Sequence, residues 1–467
     1  MAGRFLPGEM HFHTFLSDGE HTLDDISHVS FDKYGLKWLI VTDHGGLFDR
    51  DPQGTPFAGS GTKIRGENYG KEGMMWRSQS IEEFGQREIE RVRKRHPERL
   101  LLHGLEMNLP EGGHAGVFIN SSDGSALARF EYIFDTCDRD LSLNLPKHNR
   151  DGEGAIRAVR YLAERHKDQS FFIVNHPHVY KAFTPRLIRS LNDAAPEVVV
   201  GFEGIPGHQY RRARGYYLYE KGEDFRFYRL YGGADYMLAK VGGLWDSLLG
   251  EGRRFFVFSG SDFHAAGDDL DPYPGEYSKT YLYLEHLTPE DLIASVRGGR
   301  GFVVLGDIIQ GLDFTLQSEE IAGLGDELQT HDGKVLLEIK VAVKDPLTLH
   351  HIDVIEGEVG ERFLPESPGY DSAENGSAQV VLRIERRDLC EIEPGVFQYR
   401  ARLNLRFNKG YLRLRGTNLP PNTDFETDPD GNPLIDDHST RRNTKEIAQN
   451  DCWFYTNPIF YKEKKRC

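Results

Sequence analysis

The sequence predicts an α/β fold over residues 1–310, followed by a β-sandwich domain over residues 311–467. In the first region, short apolar runs that turn polar at their ends alternate with helical patterns, which is typical of parallel strands joined by helical crossovers. From about residue 311, short alternating strands are separated by Gly, Pro, Asn and Asp, with no convincing amphipathic helix between them. A chain of 467 residues also exceeds one ordinary core, so we expect two domains.

Several apolar runs in the first region predict buried strands, and a charged segment between them predicts an amphipathic helix, SIEEFGQREIERVRKRHPE (80–98). Because ligands of such folds bind at the carboxyl ends of the strands, the polar residues that end each run are the candidate site residues. The runs are LKWLIVTDH (36–44), RLLLHGLEMN (99–108), FFIVNHPH (171–178), EVVVGFEG (197–204) and RRFFVFSGSDFH (253–264).

Two long segments lack periodicity. Residues 49–79 are rich in glycine and polar residues, and a loop of that length is uncommon unless it is functional or disordered. We interpret it either as a lid or rim over a site or as a surface insertion. Residues 418–440 are acidic and rich in turn residues, which predicts a loop within the β-sandwich.

Composition narrows the class of protein. The formal net charge of −16 argues against a nucleic-acid partner, since nucleic-acid-binding proteins usually carry a basic surface. Four widely spaced cysteines without a CxxC pair make a disulfide framework and a cysteine zinc site improbable. No apolar run approaches the ~18 residues that a membrane helix needs, and the first residues show no secretory pattern. We therefore expect a cytoplasmic protein with reduced thiols.

The stretch MHFHTFLSDG (10–19) introduces a set of candidate metal ligands. His11 and His13 are two residues apart, so on a strand both imidazoles point to the same side. Imidazole and carboxylate ligands suit Zn, Mn or Fe, and a shared metal cluster would satisfy many such groups together. The histidines and acids at the predicted strand ends are His11, His13, Asp18, Asp43, His44, Glu106, His114, His176, His178, Asp262 and His264.

The motifs HFHTFLSDG, VTDHGG, GLEMN…GGHAGVFI, VNHPH and SGSDFH resemble, in this order, those of the polymerase-and-histidinol-phosphatase (PHP) family of metallohydrolases. The resemblance covers about residues 9–264. It implies a distorted (β/α)7 barrel with a trinuclear centre of two or three divalent ions (Zn, Mn or Fe). It assigns His11, His13, Glu106 and Asp262 to one ion, Glu106, His114 and His176 to a second, and Asp18, His44 and His264 to a third.

A resemblance to one branch of the family, which has a C-terminal β domain and includes carbamate-hydrolysing relatives, is carried by LWDSLLGEGRRFFVFSGSDFH (244–264), PGEYSKTYLYLEHLTPEDLIASVRGGRGFVV (274–304) and TNPIF (456–460). The resemblance thus implies a metal-dependent hydrolase that uses a metal-bridging hydroxide. We favour a phosphoesterase; a hydrolase of a carboxyl ester, carbamate or amide is the alternative, and an inactive metal-stabilised binding module is a third possibility. Glu106 would bridge two ions, His178 or His264 would act as general acid, and Asp43 would orient a ligand imidazole.

Recognition of the substrate is less visible in the sequence. A small phosphorylated substrate would require cations near the metal ions. The oligomeric state is left open, and His350, His351 and His438 of the C-terminal region are predicted not to bind metal. The candidate substrate-binding residues are Lys63, Arg65, Lys147, His178, Lys181 and His208.

Overall fold

The computed structural model describes residues 3–65, 73–150, 152–177, 183–207, 230–267, 271–345, 348–436 and 451–464. These residues form a mixed α/β structure in which strands outnumber helices. The strands are β1 Arg4–Glu9, β2 Trp38–Val41, β3 Leu47–Phe48, β4 Met75–Trp76, β5 Leu100–Asn108, β6 His114–Ile119, β7 Ser170–Val174, β8 Val199–Pro206, β9 Leu230–Tyr231, β10 Ala234–Asp235, β11 Phe256–Gly260, β12 Ser278–Leu284, β13 Gly301–Leu305, β14 Gly311–Gln317, β15 Ile321–Ala322, β16 Glu327–Thr330, β17 Lys334–Ala342, β18 His351–Glu358, β19 Gln379–Glu385, β20 Cys390–Glu393, β21 Val396–Asn404, β22 Lys409–Thr417, β23 Trp453–Thr456 and β24 Ile459–Glu463.

The helices lie mainly in the first 300 residues. They are α1 Leu23–His28, α2 Arg77–Ser80, α3 Gln86–Arg93, α4 Ser125–Phe134, α5 Gly154–Arg165, α6 Pro185–Ala194, α7 Tyr236–Ala239, α8 Leu244–Gly250 and α9 Pro289–Gly298. A π-helical segment, Ile81–Gly85, joins α2 to α3, so the helix predicted over 80–98 begins and ends earlier than expected. No helix of the described ranges has the length and hydropathy needed to cross a bilayer.

The large sheet has the strand order β11-β8-β7-β6-β5-β2-β1-β12-β13-β23-β22-β18-β19, and β24 pairs with both β16 and β22. Its first strands pair in parallel, as the alternation of strands and helices predicted, at β1–β2, β2–β5, β7–β8 and β8–β11. The prediction missed β6, which is antiparallel to both β5 and β7. Only five residues separate β5 from β6, and a connection that short permits a hairpin but no parallel crossover.

The region after residue 310 contains the short strands that the sequence predicted. Within residues 311–345, 348–436 and 451–464 the structure has no α-helix, only the short 3₁₀ turns Pro368–Asp371 and Arg386–Asp388. Five strands form a separate sheet of order β15-β14-β17-β21-β20, while β23, β22, β18 and β19 continue the large sheet beyond β13. Along β17, residues alternate between buried and partly exposed, and the buried side chains join an apolar cluster with those of β14, β18 and β22. The division at residues 310 and 311 stays a prediction.

A buried charge pair joins α8 to β22. The Asp246 carboxylate accepts hydrogen bonds from the Arg413 guanidinium at 2.9 and 2.7 Å and from the Tyr411 hydroxyl at 2.8 Å. Both charged side chains are at most 1% exposed. Because each buried charge has its counter-ion within hydrogen-bond distance, the pair tolerates burial, whereas either charge alone would not.

We predict that Asp246→Ala destabilises the protein by about 3–5 kcal/mol, because it leaves the Arg413 charge buried without its carboxylate. The measurement is the free energy of unfolding in urea, with Asp168→Ala as the control. Asp168 also pairs with an arginine, but its side chain is 88% exposed. Equal unfolding midpoints for the two variants would contradict the role given to Asp246.

Candidate metal centre

The ends of β1, β2, β5 and β11 are held side by side by backbone contacts beyond the strands. Asp262 N–H donates to the His11 carbonyl and His13 N–H donates to the Phe263 carbonyl, both at 2.9 Å. An isolated parallel bridge likewise joins His44 to Glu106. Residues that are distant in sequence therefore present their side chains to one place, as the polar ends of the apolar runs predicted.

Glu106 is the centre of this place. Its side chain is fully buried, yet five imidazoles surround its two carboxylate oxygens. The distances from the carboxylate to the ring nitrogens are 3.1 Å for His11 Nε2, 3.2 Å for His13 Nε2, 3.2 Å for His44 Nδ1, 3.3 Å for His114 Nδ1 and 3.0 Å for His176 Nε2.

Among the described residues, three groups of side chains have ligand atoms close enough to share an ion. The first group matches the predicted set for one ion. In the group of Glu106 and His114, His44 takes the place that the prediction gave to His176, which instead contacts Glu106 at 3.0 Å. In the group of Asp18, His44 and His264, His13 is an additional member. The groups are His11, His13, Glu106 and Asp262; His44, Glu106 and His114; and His13, Asp18, His44 and His264.

Charge is strongly coupled across the site. Burial raises the pKa of Glu106, but the surrounding imidazoles, His11 first, outweigh burial and hold that pKa well below its usual range. Burial lowers the pKa of His11, and the carboxylates of Glu106 and Glu203 outweigh it, so the pKa of His11 is raised well above 6.5. In the same way Asp18 raises the pKa of His264 to about 10 against the effect of burial. The carboxylates thus attract positive charge into a buried space.

The donor set fits a cation better than it fits internal hydrogen bonds. Glu106 Oε2 and His44 Nδ1 are both buried and lie 3.2 Å apart, and neither forms a hydrogen bond. Burial lowers the pKa of His44 to about 3, so its ring is neutral near pH 7. A buried carboxylate oxygen and an imidazole nitrogen that face each other without a hydrogen bond are a donor pair that a bound cation would satisfy.

Two of the ligand candidates have an uncommon backbone conformation. His176 has a φ of 25° and Asp262 a φ of 49°, in the left-handed region that residues other than glycine seldom adopt. Each residue lies two positions after the last residue of a strand, β7 and β11 respectively. Such strain costs about 1–3 kcal/mol per residue and is retained where the surrounding structure enforces it, often at functional sites.

Glu203 is a site residue that the sequence analysis missed. Its carboxylate accepts from His11 Nδ1 at 2.6 Å and from the His176 backbone N–H at 2.9 Å. The first bond leaves His11 Nε2 free to face Glu106, which is the usual way a carboxylate orients a metal-binding imidazole. Gly260 permits this approach, because a Cβ there would lie 1.9 Å from Glu203 Oε1. The signal was present, since Glu203 ends the apolar run EVVVGFEG.

Asp43 was predicted to orient a ligand imidazole, and its hydrogen-bond partners are instead hydroxyl, backbone and guanidinium groups. Its carboxylate accepts hydrogen bonds from Thr14, from the Ser17 hydroxyl at 2.7 Å and from Arg77. Ser17 Oγ in turn lies 3.4 Å from His13 Nδ1. Asp43 therefore reaches a ligand imidazole only through Ser17, and that imidazole is His13.

The structure also places the predicted substrate cations. Lys147 Nζ lies 2.7 Å from Asp138, and Arg65 contacts Glu82 at 2.9 Å and Asp140 at 3.4 Å. Both cations are thus already paired with carboxylates of this chain. The side chain of Lys63 is exposed, and its carbonyl accepts from Gln79 at 2.8 Å.

Some predicted residues cannot be placed in the same way. His178, Lys181 and His208 lie outside the described residues, as does His438 of the C-terminal region. His350 and His351 are described and contact each other, with 2.9 Å between their Nδ1 atoms, and they belong to none of the three groups.

Comparisons of the chain with protein-family models, with curated proteins and with solved structures gave no match. The relation to the PHP family therefore stays a prediction carried by the motifs, and the buried histidine and carboxylate groups stand on their geometry.

We predict that Glu203→Gln lowers the affinity for Zn²⁺ or Mn²⁺ by about 10- to 100-fold, because His11 and the His176 N–H bind different oxygens of Glu203 and the amide replaces one of these acceptors by an NH₂ donor. Titration of metal-free protein by calorimetry measures the affinity. Glu319→Gln is the matched control, since Glu319 lies 3.3 Å from the His331 imidazole but is 75% exposed. Unchanged affinity in Glu203→Gln would remove Glu203 from the centre.

Proposed function

We propose that the protein is a metal-dependent hydrolase of the PHP type, built as a distorted (β/α)7 barrel followed by a β-sandwich domain. The observation that carries this proposal is the buried carboxylate of Glu106 among five imidazoles, flanked by Asp18 and Asp262. The bridge between Phe12 and Phe263, which joins the segments after β1 and β11, supports the barrel. We further propose a small-molecule substrate in the cytoplasm and no nucleic-acid partner.

The chain's own residues hold the centre ready for catalysis. His264 Nδ1 lies 2.8 Å from the Asp262 carbonyl, and this contact directs His264 Nε2 toward Asp18 at 3.5 Å. The Glu203 carboxylate binds His11 Nδ1 in the same way and directs His11 Nε2 toward Glu106. Two or three divalent ions of Zn, Mn or Fe bound there would polarise a water molecule and stabilise developing negative charge. His264 is 28% exposed and could donate a proton to a leaving group only through Nε2, in a state in which this nitrogen holds a proton rather than an ion.

Phosphoester hydrolysis is the reaction we favour. Negative charge in phosphoryl transfer spreads over several oxygens, so a cluster of cations gains most there. The buried carboxylates would draw those cations into an otherwise acidic protein, whose field repels long polyanions.

A carbamate, carboxyl ester or amide is the second candidate substrate, and one observation favours it. Lys147 and Arg65 are neutralised by Asp138, Glu82 and Asp140, so these two predicted phosphate ligands already have partners. A neutral substrate would need no such cations.

We predict that protein purified without chelator carries two or three transition-metal ions per chain and that Glu106→Gln loses at least one of them together with all turnover. Glu106 contacts members of two ligand groups, so weakening it disturbs both. Elemental analysis and circular dichroism measure metal content and folding. Absence of metal from the wild-type protein, or near wild-type turnover in folded Glu106→Gln, would contradict the prediction.

We predict that the Mn- or Zn-loaded enzyme hydrolyses a small phosphomonoester or phosphodiester in preference to carboxyl and carbamate esters. The assay offers all four substrate classes in parallel to the wild-type protein and to Glu106→Gln, which corrects for contaminating activity. Cleavage of a neutral ester with every phosphoester left intact would replace the first candidate by the second. No hydrolysis of any class would favour the binding module.

A further inference from the structure

The guanidinium of Arg77 is fully buried beside the metal centre without belonging to any of the three ligand groups. Arg77 is the first residue of α2, and its backbone N–H donates to the Gly46 carbonyl at 2.8 Å, two residues after His44. Burial of a guanidinium is costly unless the charge is paired and hydrogen-bonded. The partners of this charge therefore indicate why an arginine stands here.

Two of those partners, the Leu16 carbonyl and Asp43, lie next to the first ligands, and Ser80 and His103 are further partners. Arg77 Nη2 donates to Asp43 Oδ2 at 3.3 Å, and Nη1 donates to the Leu16 carbonyl at 3.2 Å. Asp43 accepts from Thr14 N–H and from Ser17 Oγ, both at 2.7 Å. The turn at residues 14–17 thus donates N–H and hydroxyl hydrogen bonds to Asp43, and one of its carbonyls accepts a hydrogen bond from Arg77.

Asp18 follows this turn directly. Its carboxylate lies 3.5 Å from His264 Nε2 and 3.8 Å from both His13 Nδ1 and His44 Nε2. The side chain of Asp18 is half exposed, whereas Glu106 is fully buried and Asp262 nearly so. Packing therefore fixes Asp18 less than the other acids, and its position depends on the turn that precedes it.

We propose that Arg77 is a positioning residue of the metal centre: with Asp43 it fixes the 14–17 turn and so places Asp18 for the ion shared with His44 and His264. The inference rests on the proposed metal centre and deepens it. A residue that served packing alone would not need its charge and its donors directed at this turn.

The test is metal titration of metal-free protein with Co²⁺, read by absorption and by elemental analysis, for the wild type, Arg77→Met, Arg77→Lys and Asp18→Asn. Asp18→Asn identifies the ion that Asp18 binds. We expect Arg77→Met to lower the affinity for that same ion by about 10- to 100-fold and to leave the affinity for the other ions unchanged. Arg77→Lys should recover part of the lost affinity. The double variant Arg77→Met/Asp18→Asn should bind this ion with nearly the same affinity as Arg77→Met alone.

Arg189→Met is the matched control. Arg189 is equally buried and pairs with Glu251 at 2.7 Å, but its partners are Glu251, Ser247 and two carbonyls outside the site. Wild-type affinity for all ions in Arg77→Met, or an equal loss in both variants, would overturn the proposal.

If Arg77→Met does not fold, Thr14→Val decides in its place, because it removes the 3.0 Å hydroxyl bonds between the turn and Asp43, whereas the Ser17 hydroxyl also faces His13. A lower affinity for the ion that Asp18 binds then supports the proposal, and wild-type affinity overturns it. If the wild-type protein binds no ion, both the proposed function and this inference fail. If the wild-type protein binds its ions and Arg77→Met binds them equally well, only this inference fails.

Discussion

The buried carboxylate of Glu106 among five imidazoles is the interaction on which the rest of the site depends. A charge taken out of water costs several kcal/mol unless an opposite charge compensates it. Here the surrounding imidazoles, His11 first, lower the pKa of Glu106 although burial raises it. Imidazoles supply that charge only as long as they hold protons. A bound divalent ion would supply it at any pH and would also satisfy Glu106 Oε2 and His44 Nδ1, which have no hydrogen bond of their own.

Positions further from Glu106 follow from this centre. Glu203 fixes the His11 ring and the His176 backbone, and Gly260 leaves the space for it. His176 and Asp262 adopt strained backbone angles at strand ends, a cost that is tolerated because the neighbouring strands enforce them. Arg77 and Asp43 hold the turn before Asp18. The strands thus form the frame of the site: Glu106, His114 and Glu203 lie within strands, and the other ligand candidates lie beyond strand ends.

The sequence could predict the parts that depend on local pattern. Runs of apolar residues located several strands, and the polar residues near their ends gave the candidate ligands; the grouping of His11, His13, Glu106 and Asp262 came from the family resemblance, and the ligand atoms of these four residues do lie together. Pairing direction was harder to predict, because the β5–β6 hairpin is set by a five-residue connection rather than by periodicity. The partners of Asp43, Lys147 and Arg65 depend on contacts between distant segments, which no local pattern encodes. Glu203 lay at a predicted strand end and could have been included.

The most direct test of the central claim is X-ray diffraction from crystals grown without chelator, recorded on both sides of the Zn, Mn and Fe absorption edges. We expect anomalous difference peaks between the Glu106 carboxylate and the imidazoles of His11, His13, His44 and His114. A map without such peaks, in which Glu106 instead accepts hydrogen bonds from protonated imidazoles alone, would contradict the claim that this cluster is a metal centre.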